Sequence, residues 1–429
     1  MFGLFEVVLF SVFLFFYVGL FYNLPVLVVG VRDLLRSRRG VGRRVFKGGG
    51  ALPSFSIILP VKDERSVVGR SLEALSQLRY PVDRFEVVVV DDGSVDGTTE
   101  ICREFASSHE NVRFLHRSFS EGKASALNHG LRNSSGDIVV IFDADNVPAS
   151  DVLSVAAGYF EDPSVAAVQG RIDSINHGEN MLTQFIAYED FLWCEAFLRG
   201  KDALGLFVHL RGCCEFVRRS VLDSVGGCFD ESVLAEDIEI SARLVEGSHK
   251  IRYVSDIRVW QETPSTLKSF LKQRTRWFRG HMEIALRYGR LFKRLNRQTL
   301  DAELTLALPF VAIASFICFT LASWGVFSPL SFDEVLRSVM SFSSFTGYVL
   351  FFVAGFTLIY YSKPKRLKNL LWLPFVFGYW CLQSFLAFYA LLLIVLRRPQ
   401  RWMKTEKSGV VSSPEFALEA SRAASSFEE

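Results

Sequence analysis

Long apolar runs at the two ends of the chain enclose a middle region in which apolar residues come in short bursts. Residues 3 to 31 (GLFEVVLFSVFLFFYVGLFYNLPVLVVGV) are interrupted only by Glu6, Asn23 and Pro25, a length sufficient for the roughly 30 Å hydrocarbon layer of a bilayer. The pattern predicts a transmembrane helix within residues 1–31. A cleaved signal peptide is the competing reading, but the run is too long for one and lacks a basic start and a small-residue cleavage site.

From residue 54 to 262 the bursts FSIILPV, FEVVVVDDG, VRFLHR, DIVVIFDAD and VAAVQGRI alternate with amphipathic stretches such as Ser66 to Leu78 and Asp96 to Ser107. Continuous apolar runs of this length mark strands covered on both faces. The βαβα order predicts an α/β, Rossmann-like domain with a mixed, mostly parallel sheet, whose ligands bind at the carboxyl ends of the strands. Beyond residue 300 three runs of spanning length follow, Glu303 to Phe327, Val339 to Tyr361 and Leu367 to Leu396. The resulting division is interfacial helices over 263–300, a C-terminal membrane region over 301–397, and a Ser/Ala/Glu-rich tail over 398–429 that is expected to be disordered.

Charge orients this layout. Arg32, Arg36, Arg38, Arg39, Arg43, Arg44 and Lys47 follow the first run against a single Asp33. The positive-inside rule makes 32–53 a cytoplasmic, basic juxtamembrane linker, and beside a membrane its partner is anionic lipid. The net charge of +2 gives no argument for nucleic acid. Counting one span before the domain and three after it puts Arg397, Arg398, Arg401 and Lys404 outside, against the rule. Alternatively one run, such as the Pro374 part of the last, lies in the interface. The seven cysteines have no CxxC spacing and no regular framework, which disfavours zinc and disulfide scaffolds.

Candidate chemistry sits at strand ends. Val87 to Val90 run into Asp91-Asp92-Gly93-Ser94, where a carboxylate can accept from a uracil ring or a ribose hydroxyl; alone, this is also an ordinary turn. The next such strand ends in Asp143-Ala144-Asp145, two carboxylates able to share Mg²⁺ or Mn²⁺ beside a departing diphosphate, or else a solvated acidic turn. Between them Lys123 stands near a helix start, where a cation and free amides can meet phosphate, although an isolated lysine is more often a surface residue. Glu236-Asp237 opens a helix, with Asp237 the candidate general base; acidic residues in a first turn are also favoured by the helix dipole. Gln273 and Trp277 share a helix face with Arg276 beside them, so Trp277 could floor an acceptor sugar and Arg276 could pair with a diphosphate. By itself this motif equally describes an interfacial helix with a basic face.

Taken in order, these pieces resemble the membrane-embedded branch of family 2 glycosyltransferases, the group of hyaluronan, cellulose, chitin and poly-N-acetylglucosamine synthases and the Nod-factor chitooligosaccharide synthase. The resemblance covers roughly residues 54 to 290 and rests on DDG at Asp91 to Gly93, DxD at Asp143 to Asp145, ED at Glu236-Asp237 and QxxRW at Gln273 to Trp277. It implies a GT-A fold, a UDP-sugar donor, a divalent metal (Mg or Mn), inversion at the anomeric carbon, and a multi-pass protein of the plasma membrane with a cytosolic catalytic domain. By the same resemblance Asp63, Asp91, Asp92, Lys123 and Asp143 serve the donor, Asp143 and Asp145 the metal, and Asp237 with Glu236 catalysis. Gln273, Arg276 and Trp277 would close over diphosphate and acceptor. Val168-Gln169-Gly170-Arg171 and Arg211-Gly212-Cys213-Cys214 match further family segments, Gly212 and Cys213 on the acceptor side. Lys62-Asp63-Glu64 replaces the usual Asn-Glu, Ala235 the usual Thr, and the Cys-Cys pair is untypical, which bears on the acceptor.

Three functions follow as expectations. A processive synthase would extend a β-linked glycan and pass it through its own membrane helices. A single-addition enzyme, similar to ceramide glucosyltransferase, would act on a lipid. An inactive membrane scaffold would bind sugar only, and the complete set of carboxylates argues against it.

Overall fold

The computed structural model describes residues 4–37, 51–289, 296–327, 373–399 and 404–411, with scattered positions between 334 and 371 and Phe416. The expected run Val339 to Tyr361 lies largely outside the described residues.

Helix α1 (Leu4–Ser37) carries the first apolar run without a break through Pro25. It continues past residue 31, so Arg32 and Arg36 belong to the helix and not to a linker. Cations in a last turn are favoured by the exposed carbonyls there. Strands and helices then alternate: β1 (Phe55–Val61), α2 (Val68–Ser76), β2 (Phe85–Asp92), α3 (Thr98–Ser108), β3 (Val112–Arg117), α4 (Lys123–Arg132), β4 (Ile138–Ile141), β5 (Val147–Pro148), α5 (Val152–Phe160) and β6 (Val165–Ser174). Helix α6 (Met181–Leu192) passes through a π-helical segment (Trp193–Leu198) into α7 (Arg199–Ala203). Then come β7 (Glu215–Arg218), α8 (Arg219–Ser224), α9 (Glu236–Glu246), β8 (Lys250–Gln261), α10 (Leu267–Tyr288), α11 (Arg297–Leu306), α12 (Leu308–Phe327) and α13 (Leu373–Val395).

The eight strands form one sheet in the order β3-β2-β1-β4-β7-β6-β8-β5. β1 to β4 pair in parallel around β1, and β7 runs antiparallel between β4 and β6. The continuous apolar runs are explained by the two layers that sandwich them. Ile57, Leu59, Val87 and Val89 join the layer with Leu72 and Leu75 of α2. Their alternates Ile58, Val88 and Val90 join the layer with Leu127 of α4 and Leu244 of α9. With both faces covered, the central positions of these strands are apolar, and the acidic motifs begin at their carboxyl ends, Asp91 and Asp92 closing β2.

Among the described residues two helical stretches are long and apolar enough to cross a membrane, Tyr17–Arg36 and Pro374–Val395, and a third is possible if the bent pair α11 and α12, at 55°, is one span. Helix α1 lies backbone to backbone on the segment after α6: a Cβ at Gly30 would fall 1.8 Å from the Ala196 carbonyl oxygen, and one at Gly200 would fall 2.0 Å from that of Val26. Only glycine permits this approach. The end of α13 returns to the α/β domain, where Arg279 of α10 donates to the carbonyls of Arg398 and Pro399 at 2.5 and 3.1 Å. Of the basic cluster that span counting put outside, Arg398 and Lys404 therefore lie beside the domain, and Arg401 lies outside the described residues.

Candidate active site

A cavity of about 480 Å³ opens at the carboxyl ends of β1, β2 and β4 and extends beneath α10 to α12. Its wall includes Asp92, Lys123, Asp143, Asp145, Gly212, Cys213, Glu236, Asp237, Gln273, Arg276 and Trp277. The acidic positions spread along the sequence thus meet in one place.

Two candidates do not line it. Asp63, at a left-handed φ of 52°, accepts from the Val95 amide at 2.8 Å. Asp91 is fully buried and accepts from the Thr99 hydroxyl at 2.5 Å and the Ser94 amide at 3.0 Å, with His116 Nδ1 also 3.0 Å away. Both brace the loops around the site. Asp92 does line the cavity, but its carboxylate accepts from Ser120 and from the amides of Glu121 and Gly122, so it holds the turn that presents Lys123.

Lys123 is the first residue of α4 and bridges the acidic motifs. Its ammonium lies 2.8 Å from Asp143, 3.3 Å from Glu236 and 2.8 Å from the Gly212 carbonyl oxygen. Burial works against its charge, but Asp143 and then Glu236 outweigh that and hold its pKa well above the ordinary value. Asp237 sits in the first turn of α9. Burial, followed by the charge of Glu236, lifts its carboxyl to about 6. Gly212 adopts a φ of 81° and approaches so closely that a Cβ there would lie 3.3 Å from Asp237 Oδ2. Glu215 stands behind this loop and accepts from the Gly212 amide; burial and then Asp237 push its carboxyl well above the usual range.

On α10, the Arg274 guanidinium lies 4.5 Å from the centre of the Trp277 ring and donates to Glu189 at 2.7 Å. Glu189 also accepts from Tyr379 and Gln383 of α13, joining the QxxRW helix to a candidate membrane span. Gln273 Oε1 and Arg276 Nε are buried without a hydrogen-bond partner, as expected of groups awaiting a ligand.

The sequence reading missed what reaches the site from the far end of the chain. The tail was expected to be disordered, yet Lys407 donates to Asp145 Oδ2 at 2.5 Å and to the Glu262 carbonyl oxygen at 2.7 Å. Glu262 in turn accepts from the Ser408 amide and hydroxyl and from the Gly409 amide. Lys404 lies 3.4 Å from Glu64. The one available signal was a pair of lysines three apart in an otherwise polar segment.

A model of the family described as glycosyltransferase like family 2 matches residues 53–280. The chain belongs to that family. Its eight-stranded mixed sheet is of the GT-A type. Among curated relatives, the probable glycosyltransferase YdaM of Bacillus subtilis is 32% identical over 257 residues, covering 59% of this chain and 61% of that protein. The beta-monoglucosyldiacylglycerol synthase of a Nostoc species is 35% identical over 243 residues, covering 56% and 51%. The poly-beta-1,6-N-acetyl-D-glucosamine synthase of Staphylococcus epidermidis is 28% identical over 331 residues, covering 76% and 78%. The chain thus spans between half and two thirds of the length of the first two. The solved mannosyltransferase PcManGT from Pyrobaculum calidifontis, in complex with GDP-Man and Mn²⁺, shares the fold with a TM-score of 0.57 at 19% identity, covering 90% of this chain and all of that one.

Proposed function

We propose that this glycosyltransferase moves a sugar, with inversion, from a nucleotide-sugar donor to a hydroxyl acceptor at the membrane surface, with Asp237 as general base. The observation that carries the reading is the convergence of Asp92, Asp143, Asp145, Asp237 and Trp277 on one cavity. The acceptor oxygen forms its bond to the anomeric carbon as the bond from that carbon to the diphosphate breaks. The electron pair leaves with the diphosphate and the hydroxyl proton passes to Asp237. A carboxyl lifted to about 6 is ionised near neutrality yet more basic than an ordinary carboxylate, which suits that task. Arg276, with an unpartnered Nε, and Gln273 meet the diphosphate.

Asp143 and Asp145 would hold a divalent metal. The fit is supported by the Lys407 ammonium, which already places a positive charge on Asp145 Oδ2. No group of three metal-ligating side chains occurs among the described residues, so donor phosphates and water would complete the shell, as Mg²⁺ commonly requires. When bound, the metal would neutralise charge developing on the diphosphate. The PcManGT complex with GDP-Man and Mn²⁺ supports this donor chemistry; a UDP-sugar remains the expectation from the motif set. Basic residues at the end of α1 and the return of Arg398 to the domain support a cytosolic catalytic face with an even number of crossings between α10 and the end of α13. A growing glycan and a lipid headgroup both present a hydroxyl that Asp237 could serve.

The test is incubation of the purified protein with radiolabelled nucleotide sugars and Mn²⁺. Asp237→Asn should abolish transfer and preserve nucleotide binding. Unchanged turnover in that variant removes the base assignment.

A further inference from the structure

The polar machinery accounts for only part of the cavity. Toward α12 its wall is made by Trp193, His209, His281, Leu308, Pro309 and Ala312, none of which the sugar-transfer chemistry uses. His209 is only 4% exposed and its Nδ1 has no hydrogen-bond partner, which is costly unless something supplies one. The ring is held where it is. The Phe207 amide donates to Asp301 at 2.7 Å and the Leu210 amide to the Ser241 hydroxyl at 2.9 Å, while Trp193 meets the imidazole edge-on at 5.8 Å. His281 lies alongside, its ring centre 6.5 Å away and its Nε2 3.2 Å from the Thr305 carbonyl oxygen. Burial keeps both imidazoles neutral, pushing His209 well below the ordinary range and His281 down to about 4.

Resting on the proposed sugar transfer, we infer that His209 is an acceptor-binding residue and that the acceptor is a hydroxyl-bearing lipid whose chains lie along α12. A neutral imidazole offers an uncharged hydrogen-bonding group, which matches an alcohol or ester oxygen. Beyond it, Leu308, Pro309 and Ala312 have no side-chain donors or acceptors. A glycan threaded there would leave its hydroxyls unpaired, whereas an acyl chain loses nothing. The charged groups on the α6 side are already engaged, Asp190 by Arg211 at 2.8 Å and Glu189 by Arg274, so they do not compensate sugar hydroxyls. Leu308, Pro309 and Ala312 belong to a bent helix pair that is long and apolar enough to be a span when its two halves are taken as one, so a lipid would reach them from the bilayer without entering water.

The experiment uses the full chain with a radiolabelled nucleotide sugar, Mn²⁺, and either phosphatidylcholine vesicles doped with diacylglycerol or ceramide, or soluble cellotetraose and chitotetraose. Label should enter the organic phase with doped vesicles and not lengthen the oligosaccharides. His209→Phe should raise the KM for the lipid by about tenfold while the donor KM moves less than about twofold, and His209→Asn, which keeps a hydrogen-bonding atom, should recover part of the loss. Nucleotide affinity by calorimetry checks that each variant is folded. Nucleotide binding and hydrolysis without lipid product, lengthened oligosaccharide, or an unchanged lipid KM in His209→Phe overturns this inference alone. Absence of nucleotide binding in the native protein overturns the sugar-transfer reading as well.

Discussion

The Lys407 ammonium lies 2.5 Å from Oδ2 of Asp145, a residue 262 positions earlier in the chain. Burial works against the lysine's charge, but Asp145 outweighs it and holds its pKa above the ordinary value. A divalent cation at Asp143 and Asp145 would have to displace this group. Lys407→Gln should therefore lower the Mn²⁺ concentration for half-maximal turnover by about tenfold, equivalent to about 1.4 kcal/mol. Glu262→Gln, which weakens the anchor of Ser408 and Gly409, should act in the same direction. A metal titration in which either variant needs as much Mn²⁺ as the native protein would show that the ammonium does not compete.

Asp237 sets a pH dependence whose sign follows from its shift. Burial and the Glu236 charge raise its carboxyl to about 6, so the base is protonated below that pH and ionised above it. The kcat/KM of the native enzyme should fall on the acid side with a midpoint near 6 and level off above it. Glu236→Gln removes the neighbouring negative charge and should move the acid limb to lower pH. A profile that stays flat from pH 5 to pH 8 would separate Asp237 from proton transfer.

Lys123 acts in the opposite sense on the same group, because its charge lowers the Asp237 pKa that burial and Glu236 raise. Lys123→Gln should move the acid limb to higher pH and reduce kcat/KM at pH 7 by about tenfold or more. It also leaves Asp143 without its 2.8 Å partner, so the donor KM should rise. An acid limb that does not move would mean that the bridge is structural only.

The cavity wall was legible wherever one short segment contains both the strand and its polar end. Val87 to Asp92 and Ile138 to Asp145 read directly, because a strand covered on both faces has to be apolar up to its carboxyl end. Glu236-Asp237 and Gln273 to Trp277 were legible for the corresponding helical reason. Asp63, just past β1, and Asp91, near the end of β2, turn away from the cavity, because their direction depends on Val95, Thr99 and His116, and no local pattern encodes that. Lys407 and Glu262 escaped because polar residues in a polar tail acquire meaning only through a partner elsewhere in the chain. The same holds for Glu215, a lone acid in a short strand, and for Lys201 and Asp301, which reading along the chain leaves as ordinary charged positions.

Those last two form the most deeply buried ion pair described here. Lys201 Nζ lies 2.7 and 2.8 Å from the Asp301 oxygens and 2.6 Å from the Thr305 hydroxyl, and the two side chains are 1% and 0% exposed. Asp301 also accepts from Tyr22 of α1 and from the Phe207 amide, tying the first candidate span to the stretch that carries His209 and Gly212. Removing one partner leaves a buried charge alone, so Asp301→Ala should cost about 3–5 kcal/mol. Replacing both with apolar residues of similar size, Lys201→Met with Asp301→Leu, should recover much of that loss, since a well-packed apolar pair is often as stable as the ion pair it replaces. The measurement is thermal unfolding in detergent across the four-member cycle. Additive losses in the double variant would mean that the two side chains do not stabilise the fold as a pair.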